Sequence, residues 1–412
     1  MTVDARTILE RCDALARETS SPDGIERVYL SPEHAAVNRA TAGWMRSAGL
    51  VPRVDAVGNL LGRFEGRDPA LPALLLGSHL DTVPNAGRFD GILGVMIAIA
   101  AVDRIRDRGD ELPFAIEVLA FGDEEGTRFG TALLGSRAVA GTWLPEWWSL
   151  ADASGTSLRE AFVEFGLDPD LVGEAALDPA DVVGYLEVHI EQGPYLEEAD
   201  RALAVVSSIA GARRFALTLT GEAGHAGGVP FHRRHDALAG ASEIVLAVER
   251  LARDAGCIAT VGRLQAFPGG VNVIPGRVDF SLDLRGETDE ARDAVWAEIQ
   301  AVADDVCKRR GLMFEVDETH SAPAVRAASR LQDVVRSGIL RTGDTDPTVL
   351  FSKAGHDAMA IADLTDWAML FVRNGLGGIS HHPDETVTEA DVATALDAFE
   401  AAVLALAATH DS

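Results

Sequence analysis

The strongest constraint on the fold is a pattern met three times: a short, continuous apolar run that ends in acids or histidines. LPALLLGSHLD, FAIEVLAFGDEEG and GYLEVHIEQGP all show it. Such a run, without polar alternation, reads as a strand buried on both faces, as in a parallel sheet covered by helices. Gly91 to Arg108, between the first two runs, has helical length and an apolar body. Strands alternating with helices define an α/β fold, whose sites gather beyond the carboxyl ends of the strands. His79, Glu124-Glu125 and His189 all fall at such ends. Residues 2 to 18 and 32 to 48 read as two helices ahead of the sheet.

The middle of the chain changes character. RRFALTLTG alternates as a half-buried strand should, and Asp236 to Asp254 reads as an amphipathic helix. CIATVGRLQAF and RVDFSLDLR are strand-like runs around the turn FPGGVNVIPG, Thr288 to Arg310 is helical, and LMFEVDE closes as a strand. The order β-α-β-β-α-β predicts a ferredoxin-like layer inserted into the first domain. The expected domains are therefore 1–208 with 325–412, interrupted by 209–324. Site residues stand on both sides of the insertion, so the flanking segments must fold together.

A length of 412 residues fits roughly two to three domains. The net charge of −28 argues against a nucleic-acid partner, whose phosphates need a basic surface, and equally against an anionic membrane. The longest apolar run, Ile92 to Val102, is too short to span a bilayer, and MTVDARTILERCDALARE lacks the apolar core of a signal peptide. Cys12, Cys257 and Cys307 have no metal or redox spacing and read as free buried thiols. A cytoplasmic protein is expected.

His79, Asp90, Glu124, Glu125, His189 and His381 supply imidazoles and carboxylates enough for two divalent ions, with one carboxylate to spare. An oxygen and nitrogen donor set is typical of sites that keep a position open for water, which points to a metal-activated hydrolase. Asp90 follows His79 across a loop broken by Pro84 and Gly87, and a carboxylate can bridge two ions. Alone, His79 could equally be a hydrogen-bonded histidine at a strand end. Asp81 could orient that imidazole or cap the loop. Glu124 and Glu125, adjacent on leaving a strand, point in different directions, so one can bind metal while the other handles a water proton. Either His381 or His382 could ligate. His225 and His356 are flanked by small residues that would admit a ligand. Arg285 could capture a carboxylate or form an ordinary salt bridge.

Taken together, GSHLDTVPNAGRFDG, DEEGTRFGTALLGSRAVAG, YLEVHIEQGP, GEAGHAGGVP, PGGVNVIPGRVDFSLDLR, AGHDA and GGISHHPDE resemble the hydantoinase/carbamoylase family of amidohydrolases. That family lies within the dinuclear aminoacylase and carboxypeptidase superfamily, and the resemblance covers residues 30 to 405. It implies a dinuclear exopeptidase-like α/β catalytic domain with an inserted α+β lid and dimerisation domain. It also implies a homodimer, in which His225 serves the partner subunit's site. By resemblance, one ion is held by His79, Asp90 and His189, and the second by Asp90, Glu125 and His381. Glu124 is then the general base and Asp81 supports His79. Gln192, His225, Asn272, Arg285 and Gly355 contact the substrate.

The implied reaction is hydrolysis of an N-carbamoyl-L-amino acid, using two ions of zinc, manganese, cobalt or nickel. Allantoate, ureidoglycine-type intermediates and N-carbamoyl-β-alanine are alternatives within the family. An N-acyl amino acid hydrolase or dipeptidase is a further one, which His189 in HIEQGP disfavours. The chain departs from the family pattern at Gly224 and Gly228-Val229, at Lys353 where a small residue is usual, and at His382. These departures bear on which amide is cleaved; none removes a ligand.

Overall fold

The structure, a computed structural model, describes residues 3–410. Met1, Thr2, Asp411 and Ser412 lie outside the described residues, and with them the first residue of the expected N-terminal helix. By contact the chain divides into two compact units. The first comprises 1–207, 327–350 and 355–412, and the second comprises 208–326 with 351–354.

The sheet of the first unit runs Val51–Val54, Leu60–Phe64, Ala115–Phe121, Ala73–His79, Val182–Ile190, Trp367–Val372, Leu203–Ile209. Its four central strands are mutually parallel, and the flanking pairs are antiparallel. The three apolar runs are three of these central strands. Ala73–His79 and Ala115–Phe121 are buried at every residue, as a doubly covered sheet demands. From Ala73–His79 the chain passes through the helix Ile92–Arg108 to its neighbour on one side. Its other neighbour is Val182–Ile190. The order reverses there, which opens a crevice at the carboxyl ends of the strands.

Ile92–Arg108 is buried almost all round from Ile92 to Val102, so it forms the centre of the core. The C-terminal helix Glu389–His410 buries Val392, Leu396, Phe399, Val403 and Leu406 at helical spacing. Over Glu389–Thr409 it is long and apolar enough, by length and composition, to cross a membrane, a stretch the run-length reading passed over. Here it behaves as a core helix. Its buried Asp391 pairs with Arg373 at 2.8 Å, and its Glu400 pairs with Arg104 and Arg108 at 3.1 and 2.8 Å.

The second unit contains the expected β-α-β-β-α-β order. Gly211–Thr220, Arg277–Gly286 and Met313–Ala322 form a sheet with Leu264–Phe267 and Ile258–Thr260. Phe215, Leu217 and Leu219, with Val278, Phe280, Leu282 and Leu284, are its buried face and share a core with Ala237–Asp254 and Asp289–Arg310. Asp236 and Thr288 cap those helices, accepting from backbone N–H groups of the first turn. CIATVGRLQAF yields two short strands instead of one, broken at 261–263. The stretch 126–181 is built of short helices, including Leu134–Val139 and Leu158–Phe165, which the strand-and-helix alternation did not foretell.

Candidate metal centre

All four parallel strands deliver a site residue at their carboxyl ends. His79 closes the first, Glu124 and Glu125 follow Phe121, His189 is next to last on the third, and His381 lies on the loop after Val372. Asp90 is brought in by the loop before the helix Ile92–Arg108. Gly91 makes the approach possible: its φ is +72°, and a Cβ there would lie 2.4 Å from His79 Nε2.

Asp90 is the hub. Its Oδ1 lies 3.2 Å from His189 Nε2 and 3.7 Å from His79 Nε2, and its Oδ2 lies 3.0 Å from His381 Nε2. His381 Nε2 is in turn 3.4 Å from Glu125 Oε1. Donor atoms of His79, Asp90 and His189 lie within 4.8 Å of one another, as do those of Asp90, Glu125 and His381. His79, Glu124 and Glu125 form a third such group, and Glu187, His189 and His356 a fourth.

The imidazoles are oriented from behind. His79 Nδ1 donates to the Asp81 backbone oxygen at 3.1 Å, with Asp81 Oδ1 at 3.5 Å, and His189 Nδ1 donates to the Ile190 carbonyl at 2.8 Å. Both Nε2 atoms are thereby left facing Asp90. Asp81 also accepts from the Glu124 and Glu125 N–H groups at 3.0 and 3.1 Å, so one carboxylate fixes the first histidine and both glutamates.

Asp81, Asp90 and Glu124 are buried and the Glu125 side chain is nearly so. Burial raises Glu124 well above the usual carboxylate range, and burial together with Asp90 pushes Glu125 up to about 7. Burial also opposes the Asp90 charge, but His189, His381 and His79 hold that carboxyl well below its ordinary value. His381 rises to about 9 through its hydrogen bond to Asp90. A pocket of carboxylates that draws protons onto its imidazoles has a deficit of positive charge. Divalent cations at N and O donors of this kind would make up that deficit. The residues present therefore fit two metal ions.

His381 has φ +55°, a strained conformation for a side-chain-bearing residue. His382 instead accepts from the Asp384 N–H and is half exposed. Gln192, also at positive φ, donates to Asp90 Oδ2 at 2.9 Å and to Ser380 Oγ. At Gly355, a Cβ would lie 3.9 Å from Glu124 Oε1. His356 is buried, its ring T-shaped to His189 at 4.3 Å.

His225, Asn272 and Arg285 belong to the second unit. His225 pairs with Val273, and Ala226 N donates to the Asn272 carbonyl at 2.9 Å, so the first two are held side by side and exposed. Arg285 forms a two-point salt bridge with Asp283 at 2.9 and 3.2 Å and donates to the Lys353 carbonyl at 2.7 Å.

Sequence reasoning missed Glu385. Its Oε1 accepts from the Phe89 and Asp90 N–H groups, and its Oε2 accepts from Ser380 Oγ. The available signal was an acid four residues past His381 in HHPDE.

The sheet, the crevice and the paired carboxylate–imidazole groups define an α/β fold carrying a candidate dinuclear metal centre at the carboxyl ends of its parallel strands. Residues 75–405 match the model of peptidase family M20/M25/M40. An N-carbamoyl-L-amino-acid amidohydrolase from Pseudomonas sp. (strain NS671) is 40% identical over 376 residues, covering 90% of each chain. An allantoate deiminase from Arabidopsis thaliana is 38% identical over 416 residues, covering 93% of this chain and 79% of its own. Among solved structures, an amidase of the hydantoinase/carbamoylase family from Burkholderia multivorans superposes with a TM-score of 0.91 at 31% identity, covering 98% of each chain. The chain belongs to peptidase family M20/M25/M40, in its hydantoinase/carbamoylase branch.

Proposed function

We propose that the chain is an amidohydrolase that cleaves the carbamoyl C–N bond of N-carbamoyl-L-amino acids. The observation that carries this reading is Asp90 set between the imidazoles of His79, His189 and His381, with Glu124 buried beside them. His79, Asp90 and His189 would hold one divalent ion, and Asp90, Glu125 and His381 the other, as zinc, manganese, cobalt or nickel. When bound, such ions polarise a carbonyl oxygen and lower the pKa of water.

Glu124 then acts as the base. A carboxyl oxygen takes the proton of the attacking water and passes it to the departing amine nitrogen. The C–N bond on the amino-acid side breaks, and the released carbamate separates into carbon dioxide and ammonia. Asp81 keeps His79 and Glu124 in place. Arg285, with Gln192, His225, Asn272 and Gly355, holds the carboxylate and ureido ends of the substrate.

The inserted unit serves as the lid and the dimerisation domain of a homodimer. The edge strand Met313–Ala322, exposed along nearly its whole length, supports this. Cytoplasmic residence accords with three buried free cysteines.

Allantoate is the second reading, favoured by the 38% identity to an allantoate deiminase. The test is ammonia release by metal-stripped protein with and without Mn²⁺, Zn²⁺ or Co²⁺. The substrates are N-carbamoyl-L-amino acids, N-carbamoyl-β-alanine and allantoate, with amine release followed for an N-acetyl amino acid. Metal-dependent turnover fastest on N-carbamoyl-L-amino acids is expected; fastest turnover on allantoate would replace the first reading with the second.

A further inference from the structure

The helix Pro32–Ser47, the strand Val51–Val54 and the segment at Phe165–Leu167 line an open cavity of about 740 Å³ within the first unit. None of its lining residues belongs to the candidate metal centre. Small-molecule sites typically measure about 300–1,000 Å³. Its wall is apolar at Ala35, Ala42, Leu60 and Phe165. Its rim carries three exposed arginines, Arg39, Arg46 and Arg53.

Two of the three charges at this rim are unpaired. Arg53 is paired with the buried Glu117. Among the described residues Arg39 and Arg46 have no ion pair and no side-chain hydrogen bond. Two turns separate them on one helix, so their Cα atoms stand about 10 Å apart on the same face. Asp55, the one acid in the wall, spends its carboxylate on the Val57 and Asn59 N–H groups and the Asn59 amide. In a chain with 64 acidic and 36 basic residues, two unpaired guanidinium groups beside an apolar wall give this patch a local excess of positive charge.

The inner wall connects to the catalytic loop. Asn59, held by Asp55 at 2.8 Å, accepts from the Gly122 N–H at 3.0 Å and donates to the Gly135 carbonyl at 3.1 Å. Asn38, also in the wall, bonds His34 at 3.2 Å, and the His34 ring lies against Gly122. Asn38 Oδ1 is buried with no hydrogen-bond partner. Two polar residues of the wall are thus each one residue removed from Gly122, which stands two positions before Glu124.

We propose that this cavity binds a small organic anion, a phosphate or carboxylate head on a flat apolar body, and that its occupancy adjusts the loop bearing Glu124. Guanidinium groups suit either head, and the apolar wall suits an aromatic body.

The test uses the metal-loaded full-length protein with AMP, indole-3-acetate and inorganic phosphate as probes, by isothermal titration calorimetry. Expected is a Kd below about 1 mM for AMP or indole-3-acetate, with the tighter of the two identifying the head group. The Arg39→Ala/Arg46→Ala protein should bind at least ten-fold more weakly with an unchanged circular dichroism spectrum. Arg39→Gln/Arg46→Gln serves if the alanine form fails to fold. No binding by either organic probe, or phosphate binding as tightly as both, would overturn the site. Because this readout does not depend on turnover, it stands or falls separately from the proposed amidohydrolase activity. At saturation the bound probe should change kcat at least two-fold, and not in the double variant. Binding that leaves kcat unchanged would overturn the link to Glu124.

Discussion

Glu385 holds Asp90 by its backbone: the Asp90 N–H donates to Glu385 Oε1 at 3.1 Å, beside the Phe89 N–H at 2.8 Å. The same carboxylate accepts from Ser380 at 2.7 Å, and the Ser380 Oγ lies 3.2 Å from Asp90 Oδ2. One acid near the end of the chain thereby joins the Asp90 loop to the His381 loop. Glu385→Ala should weaken metal binding by about 10–100-fold, as loss of a residue supporting a ligand does. Glu385→Gln keeps one acceptor and should fall between. Metal titration of the stripped proteins measures both, and native-like affinity in the alanine variant would refute the role.

Gly91 offers a second route to the same centre. In Gly91→Ala the new methyl would press on the His79 ring, from a backbone conformation that L-residues resist. The expected outcome is destabilisation by more than about 1 kcal/mol together with loss of bound metal. Chemical denaturation and elemental analysis report the two effects separately.

Glu124→Gln should retain its metal, since the residue is proposed to act as a base. Turnover should fall by roughly 10²–10⁴-fold, the usual share of a positioned acid–base group. An active Gln variant would return the base role to another residue. Burial leaves Glu124 without competing solvent, which is why no exposed carboxylate is expected to substitute for it.

Metal uptake should depend on pH well above the ordinary histidine range. In the metal-free site His381 holds its proton up to about 9; burial opposes the charge of His79 and His189, but Asp81 and Asp90 raise His79 and Asp90 raises His189. An ion must displace those protons, so affinity climbs as pH rises towards about 9 and falls as pH drops. Calorimetry in buffers of different ionisation enthalpy counts the protons released. Affinity that levels off near pH 6.5 would contradict this.

Three of the four parallel strands were legible because burial on both faces keeps polar residues scarce inside the run, with Glu117 and Glu187 as buried exceptions, and a cluster of polar residues follows at the strand's end. His79, Glu124 and His189 sit at those ends. His381 was legible only through its motif, since it stands on a loop with no periodicity to announce it. Glu385 escaped because its task is to bind backbone, and any exposed-looking acid in a loop has the same sequence signature. The helices of 126–181 escaped for a related reason: they are short, several are 3₁₀ turns, and too few residues repeat for a period to emerge. Gln192 was assigned to substrate by resemblance, and its bond to Asp90 became visible only in three dimensions.

The discontinuity of the first unit also sets an order of events during synthesis. When His79, Asp90, Glu124 and His189 have left the ribosome, Trp367–Val372 and His381 do not yet exist. Through the whole making of the inserted unit, Val182–Ile190 lacks its later partner strand, and Asp90 and Glu125 lack the imidazole that will stand between them. A growing chain therefore carries an open strand edge and clustered acids that only its final segment can cover. Truncation anywhere before His381 removes more than a tail: it leaves the sheet and the charge of the centre unfinished together.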